Sequence, residues 1–579
     1  MMTQSANIRL QGPFAIDRKD GGFRDRSNRA FVPVGVNYWP ASCGVELWRQ
    51  WPDAEIRRDL DLVRELGLNC VRFFLRWQDF EPDSGVYDER MFERFEQLLA
   101  WHRERGLLAH PSLFVGWMSG GIFRPAWHGG RNLFSDSELR ARGAAFAAKA
   151  AAICARFPET VLAIDQGNEL CCLPEALSAT PAEVAGWCRE ISRAIRSGCS
   201  DTLIVSGNEQ NQVIADTGWR FGAQEGCDFY SMHSYPVSAW HGLAFDGMTD
   251  PLGRTLLPFY VKCARAWGPV MVQEFGTLFT RGERECEAYL RAVLPACREA
   301  GANGFLWWCL RDIATTVHPY AKNAFEGQLG LVDVQGEVKP GLRYFLEFAR
   351  ELERSSSRAE TDARRAYLYW PDEFYHRDNP CNPGNEPRHL SRQMAVAHFA
   401  LQELGWSSVV VRSEEFSWID RNGLLVIAGA KLTESEVAAV EDWTHAGGRV
   451  LWHGVDALSW GARMERVLGA EPIDFGAPRA SGEAFARTWN FRRFPRDIFV
   501  RTKLSTAKSC AVDTRGNPLV FTHSLGRGRL AVCLAEVDAE FAQRSDDRDA
   551  REAWTAWYRG MLGLFDVSAD ETTATASRR

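Results

Sequence analysis

The chain has no CxxC pair, no excess of positive charge and no run approaching the ~18 apolar residues that a membrane span needs. Each absence closes off a class of function. Lys and Arg number 68 against 75 Asp and Glu, a net charge of −7, which disfavours nucleic acid or an anionic membrane as the main partner. The 15 cysteines are odd in number and scattered from Cys43 to Cys533, with only Cys171 and Cys172 adjacent. That pattern argues against a disulfide framework and for a reducing compartment. No Cys/His cluster has structural-zinc spacing, so neither a metal nor a cofactor is expected. The opening MMTQSANIRLQGPFAIDRKDGG lacks the apolar core of a secretion signal, and a cytoplasmic protein is the expectation. No internal repeat is visible.

The 579 residues suggest two or three domains. Hydrophobic residues at 45% and charged residues at 25% are ordinary globular values and exclude wholesale disorder. The 22 tryptophans fit either a large aromatic core or a surface that stacks on sugar rings.

From Phe31 to about Glu353, short apolar runs alternate with helical patterns. The runs are FVPVGVNYW, LNCVRFFLRW, GLLAHPSLFVGW, VLAIDQGNEL, TLIVSGNE, CDFYSMHSYP, PVMVQEFG and GFLWWCLRD. Each reads as a buried parallel strand. Between the first two, Ile56, Leu60, Val63 and Leu66 keep helical spacing, with Asp53 placed to cap that helix and Gly67 to end it. Eight such units predict an α/β fold, a (β/α)8 TIM barrel over residues 1–353; a doubly wound sheet is the alternative. The polar segment 354–365 reads as a linker. A second α/β pattern fills 366–568: strands at AYLYW, SSVVVRS, GLLVIAGA and RVLWHG, helices at Leu390–Leu404 and after Thr433, and a hairpin around Gly526 and Gly528. It predicts a flavodoxin-like domain, and 569–579 reads as a disordered tail.

Barrel active sites form at the C-terminal ends of the strands. The polar residues ending the eight runs are Asn37, Arg72, His110, Asn168 with Glu169, Asn208 with Glu209, His233 with Tyr235, Glu274, and Trp308 with Arg311. Two carboxylates ending strands four and seven face each other across such a barrel. The bland alternative for His110 is a hydrogen-bonded core position, and for Arg72 a pairing with any barrel carboxylate.

In order, Arg72, His110, Asn168-Glu169, His233-x-Tyr235, Glu274 and Trp308 resemble the retaining glycoside hydrolases of clan A, and family 5 within it. The resemblance implies Glu169 as acid/base and Glu274 as nucleophile: Glu274, held ionised by Arg72 and Tyr235, would attack the anomeric carbon, and Glu169, kept protonated by the charge of Glu274 and partial burial, would protonate the leaving oxygen. It gives Asn168 the sugar 2-hydroxyl and Trp308 the floor beneath the sugar, in preference to Trp307. Glu209 is set aside as structural or a substrate contact. With Asn37 and Trp117, these residues form the expected substrate-binding set. The Gly-rich loop VGWMSGGIFRPAWHGGRNLF carries Trp117, Trp127 and His128; with Trp39, Trp48, Trp240 and His241 it is expected to wall off one end of the cleft, which favours exo action.

The second domain resembles the trimerisation domain of family 42 β-galactosidases, itself similar to glutamine amidotransferases. No Cys follows RVLWHG, so the amidotransferase nucleophile is missing and an architectural role is expected. The combined resemblance implies a trimeric exo-β-mannosidase acting on short oligosaccharides, mannosyl-β-1,4-N-acetylglucosamine among them. A β-galactosidase or β-glucosidase is the alternative. A non-catalytic sugar-binding barrel is the rival from another class, weakened by the presence of both carboxylates. A metal-dependent barrel hydrolase is weakened because no HxH sits on the first strand.

Overall fold

The computed structural model describes residues 12–17, 19–354, 364–375, 386–455, 460–475, 479–485, 487–492 and 500–566. Eight parallel strands succeed one another: β1 Val34–Tyr38, β2 Cys70–Phe74, β3 Leu108–Val115, β4 Ala163–Asn168, β5 Leu203–Gly207, β6 Tyr230–Ser234, β7 Val270–Phe275 and β8 Ala302–Trp307. They lie where the eight apolar runs place them, and they pair in the order β5-β4-β3-β2-β1-β8-β7-β6. The remaining seam closes just beyond β5, where Glu209 bridges His233 and the His233 N–H donates to the Asn208 carbonyl at 3.1 Å. The sheet is therefore a near-closed (β/α)8 barrel and not a doubly wound sheet.

The first connecting helix, Asp53–Glu65, buries Ile56, Leu60 and Val63 as their spacing requires. Its cap differs from expectation. Pro52 is the N-cap and makes no side-chain cap bond, while Asp53 is the first helical residue, where its charge favours the helix dipole. Under the barrel, three short strands, Phe14–Ile16, Phe23–Asp25 and Ala30–Phe31, form an antiparallel sheet. Phe23 is buried against Cys70, Ala163, Leu203 and Met271, residues at the starts of strands, so this sheet plugs the end opposite the expected site.

Two irregularities interrupt the barrel ladder close to the catalytic rim. Between Asp165 and Asn168, β4 uses three steps where β5 uses two, so one extra residue is inserted. On β7, Met232 and His233 of β6 pair with Val272 and Glu274, leaving Gln273 as the extra residue. Such bulges break the alternation of side chains and re-aim them.

The chain divides into two compact units, one of residues 1–212, 216–236 and 247–359, the other of 213–215, 237–246 and 360–579. A single cut between domains does not anticipate the two short segments that belong with the second unit. Of the expected linker, 355–363 lie outside the described residues, as does the expected tail 569–579. The second unit holds a seven-stranded mixed sheet. Strands β9 Arg364–Tyr369, β10 Trp406–Val411, β11 Leu424–Ala428, β12 Arg449–His453 and β15 Gly528–Cys533 run parallel in the order β10-β9-β11-β12-β15. Strands β14 Pro518–Leu525 and β13 Lys508–Val512 extend it antiparallel, through the hairpin predicted at Gly526. The 2-1-3-4 order at the start of this sheet is that of flavodoxin-like folds. Helix Glu434–His445 opens with the expected capping box of Thr433 and Glu436.

Candidate active site

The first ring of side chains comes from three neighbouring strands in register, with Asn37 beside Arg72 and Arg72 beside His110. Arg72 is fully buried. It donates to Asp165 at 2.7 Å and 3.1 Å, to Asn168 Oδ1 at 2.8 Å, to Asn37 Oδ1 at 3.0 Å and to Glu274 Oε2 at 3.4 Å. A buried guanidinium needs this saturation, because each unpaired donor would be left in a medium that cannot solvate it. Gly207 is required here. A Cβ would lie 2.7 Å from Arg72 Nη2 and 2.8 Å from Asp165 Oδ2.

Glu169 follows β4 with φ of +50°, a left-handed backbone that turns its side chain into the barrel mouth. Its Oε1 lies 3.1 Å from His233 Nδ1, and the same nitrogen lies 3.6 Å from Glu274 Oε2. One oxygen of each carboxyl and this nitrogen all fall within 4.8 Å of one another. Tyr235 donates to Glu274 Oε1 at 2.8 Å. Glu274 thus has two donors, from Tyr235 and Arg72, whereas among the described residues Glu169 meets only the ring nitrogen of His233.

Burial pushes Glu274 up to about 7; the charge of Glu169 adds to this, and His233, Arg72 and Tyr235 oppose it. Burial likewise pushes Glu169 up to about 7 against the pull of Arg72. From the sequence, Arg72 and Tyr235 are expected to keep Glu274 low. Both groups are in place, but desolvation outweighs them. Two carboxyls this close titrate as a pair, and the one with more donors carries the charge, which leaves the proton on Glu169. Burial pushes His233 down to about 4, so it is neutral at pH 7.

Several expected substrate contacts have other positions. Asn37, Arg72 and His110 are fully buried with protein partners on their polar atoms. Arg72 contacts Glu274 directly, while Asn37 is engaged by Arg72 and His110 by Gln273. His110 is the hydrogen-bonded core histidine, bonded to the Ala163 carbonyl at 2.8 Å and to Gln273 at 2.7 Å. Asn168 donates to the Trp117 carbonyl at 2.7 Å. Trp307 packs outward on Phe345, while Trp308 lies edge-on to Phe74 and donates to Glu326 at 3.0 Å. Arg311 is drawn away to Asp59 at 2.6 Å.

The aromatic wall loses most of its members. Trp39 and Trp48 are fully buried, His128 is buried, and Trp127 packs on Trp77 with its N–H on the Glu81 carbonyl. His241 is buried on Ser391 in the second unit, and Trp240 is exposed. Trp117 is half-buried at the rim of the loop.

Three partners escaped the sequence reading. Asp165 and Gln273 face inward only because of the two bulges, and Glu326 comes from the loop after β8. Glu209 accepts from the Asn211 N–H at 3.0 Å and the Cys172 thiol at 3.5 Å. With Cys171 and Cys172 it forms a compact donor group, but burial pushes Glu209 up to about 8; the hydrogen bond between the two thiols, and then burial, raises Cys172, and Cys171 is raised by burial against the pull of that bond. This cluster holds protons where a metal site would need anions. In the second unit, His453 ends β12 buried against Asp538 at 2.8 Å, and Cys533 is buried at the end of β15. Among the described residues no helix is long and apolar enough to cross a membrane.

A family model described as Cellulase (glycosyl hydrolase family 5) matches residues 35–313. Among solved structures, an exo-β-1,4-mannosidase from Opitutaceae bacterium strain TAV5 is 46% identical, with a TM-score of 0.90, over 94% of this chain and 99% of its own. A GH5_18 protein from Streptomyces cattleya, in complex with Manβ1-4GlcNAc, is 23% identical, with a TM-score of 0.59, over 67% of this chain and 95% of its own. The GH42 β-galactosidase from G. stearothermophilus is 14% identical, with a TM-score of 0.67, over 93% of this chain and 88% of its own. The last two share the fold. No curated protein sequence gives a match. Membership is carried by the barrel with its paired carboxyls and by the full-length relative: the chain belongs to glycoside hydrolase family 5.

Proposed function

We propose that this glycoside hydrolase is a retaining exo-β-mannosidase in which Glu274 is the nucleophile and Glu169 the acid/base. The observation that carries the mechanism is the approach of one Glu169 oxygen and one Glu274 oxygen to within 4.8 Å. Retaining enzymes keep their carboxyls ~5–5.5 Å apart, whereas inverting ones leave ~6.5–9.5 Å for a water. Glu274, charged and held by Tyr235 and Arg72, attacks the anomeric carbon. Glu169 gives its proton to the departing oxygen. A water then cleaves the glycosyl–enzyme ester, with Glu169 taking the proton back.

The choice of mannose is supported by the 46% identity to the Opitutaceae exo-β-1,4-mannosidase across both units. The disaccharide mannosyl-β-1,4-N-acetylglucosamine is our candidate natural substrate. Trp308, anchored by Glu326, is the candidate floor for the sugar in the site, and Asn168 the candidate contact for its 2-hydroxyl. A trimer built through the second unit, working in the cytoplasm, completes the reading. Its support is a flavodoxin-like domain without an amidotransferase cysteine and described cysteines that are all free thiols.

A panel of p-nitrophenyl β-glycosides tests the sugar. The mannoside should be hydrolysed with the highest kcat/KM and with retention at the anomeric carbon. A preference for the galactoside or glucoside would replace the sugar, and inversion would overturn the mechanism.

A further inference from the structure

Behind the carboxyl pair runs a line of hydrogen bonds whose direction is fixed at its far end. His110 Nδ1 faces the Ala163 carbonyl at 2.8 Å. A carbonyl only accepts, so this nitrogen carries the proton. Burial pushes His110 down to about 4, so its ring is neutral and Nε2 offers a lone pair. Gln273 Nε2 lies 2.7 Å from that lone pair and 3.4 Å from Asp165 Oδ2, which also only accepts. Two acceptors thus fix the amide with its NH2 toward them. Its oxygen then faces His233 Nε2 at 2.9 Å, and that nitrogen must donate. Neutral His233 is left with a lone pair on Nδ1, aimed at Glu169 Oε1 from 3.1 Å.

We propose that Gln273 is a positioning residue that fixes the Nε2–H tautomer of His233 and so keeps the proton on Glu169 in the resting enzyme. A lone pair facing a carboxylate is repulsive, whereas a lone pair facing a carboxylic acid accepts its proton. Only protonated Glu169 satisfies both partners. Glu274 is farther from the same nitrogen, at 3.6 Å, and already accepts from Tyr235 and Arg72. With the other tautomer, Nδ1–H would donate to Glu169 and stabilise its ionised form, which is the wrong state for an acid. Gln273 reaches both histidines because it is the bulged residue of β7.

Other groups act on the same carboxyl. Arg72, Glu209, Tyr235, Glu274 and Glu326 face Glu169 from neighbouring strands and loops, and the Cys171 and Cys172 thiols from its own turn. Arg72, Asp165 and Glu274 also face His233. Gln273→Met leaves all of them in place and removes only the orienting amide.

This inference rests on Glu169 being the acid/base, and two measurements separate the claims. In the intact wild-type protein with 15N-labelled histidine, long-range 15N–1H spectra should show His233 protonated on Nε2 and His110 on Nδ1. In Gln273→Met, the alkaline limb of kcat/KM for the unactivated disaccharide should move to lower pH by about one unit, a tenfold change in proton affinity. An activated aryl mannoside should show no such shift, because its leaving group needs no proton. Gln273→Glu, protonated on the oxygen that faces the His110 lone pair and Asp165, keeps an acceptor toward His233, so its limb should stay at the wild-type position. His233 protonated on Nδ1 in the wild type overturns the proposal, whatever the variants do. So does a Gln273→Met enzyme that loses rate equally at every pH with both limbs fixed. Failure of the acid/base reading itself would appear separately, as equal losses in Glu169→Ala on activated and unactivated substrates.

Discussion

Removing the Tyr235 hydroxyl should move the acid limb of the pH profile upward. That hydroxyl donates to Glu274 Oε1 at 2.8 Å inside a buried site. A hydrogen bond to a charged partner contributes ~1.5–3 kcal/mol, and each pKa unit corresponds to ~1.4 kcal/mol. Tyr235→Phe keeps the ring and deletes the donor, so the ionised form of Glu274 loses roughly one to two units of support. The bond favours the charged carboxylate, so its loss raises the affinity of Glu274 for protons. Activity that requires ionised Glu274 then disappears at a higher pH on the acid side. Arg72 still donates at 3.4 Å, which is why the shift is bounded and the enzyme is not abolished. The plateau should fall as well, because part of the single shared proton moves from Glu169 to Glu274. The assay is kcat/KM for p-nitrophenyl β-mannoside across the pH range, with folding of the variant checked by circular dichroism. An acid limb that stays in place while the whole profile sinks would refute the claim that Tyr235 sets the charge of Glu274.

Glu169→Ala should slow the disaccharide by ~10²–10⁴-fold and spare the first step on substrates with activated leaving groups; stopped-flow comparison of the two substrates reads this. In the wild type, kcat/KM should fall as pH rises through about 7, where Glu169 gives up its proton. Glu209 should behave as a buried acid without a catalytic role. Its folded-state pKa is raised to about 8, so the unfolded chain releases this proton first and stability is lost as pH rises from the ordinary carboxylate range toward 8. Glu209→Gln should therefore keep activity and gain stability at alkaline pH, by a few kcal/mol at most on an order-of-magnitude basis, measured by urea unfolding at several pH values. Light scattering of the full chain should give about three times the 65.2 kDa monomer mass, and a monomer at micromolar concentration would remove the trimer.

The barrel was legible because each strand is buried on both faces and so reads as a short unbroken apolar run, as with Val34–Tyr38 and Val270–Phe275. The polar residue that ends each run could then be placed at one rim. What sequence could not carry was side-chain direction at a bulge. Alternation puts Gln273 on the outer face if Glu274 points in, and only the extra residue in β7 turns both inward. Asp165 was hidden for the same reason on β4. Tryptophan gave the opposite error. Residue type does not separate a ring that stacks on a ligand from one that fills a core, and Trp39 and Trp48 are core. The electrostatics were half legible: the donors around Glu274 follow from the motif, but the depth of burial that outweighs them depends on packing from all eight strands.

The double-displacement mechanism stands or falls on which carboxylate bonds to the sugar. Incubation with a 2-deoxy-2-fluoro-β-mannosyl fluoride should trap a glycosyl–enzyme ester, and peptide mass spectrometry should find it on Glu274. Label on Glu169 or Glu209, or inactivation without any covalent adduct, would contradict the assignment of Glu274 as the nucleophile.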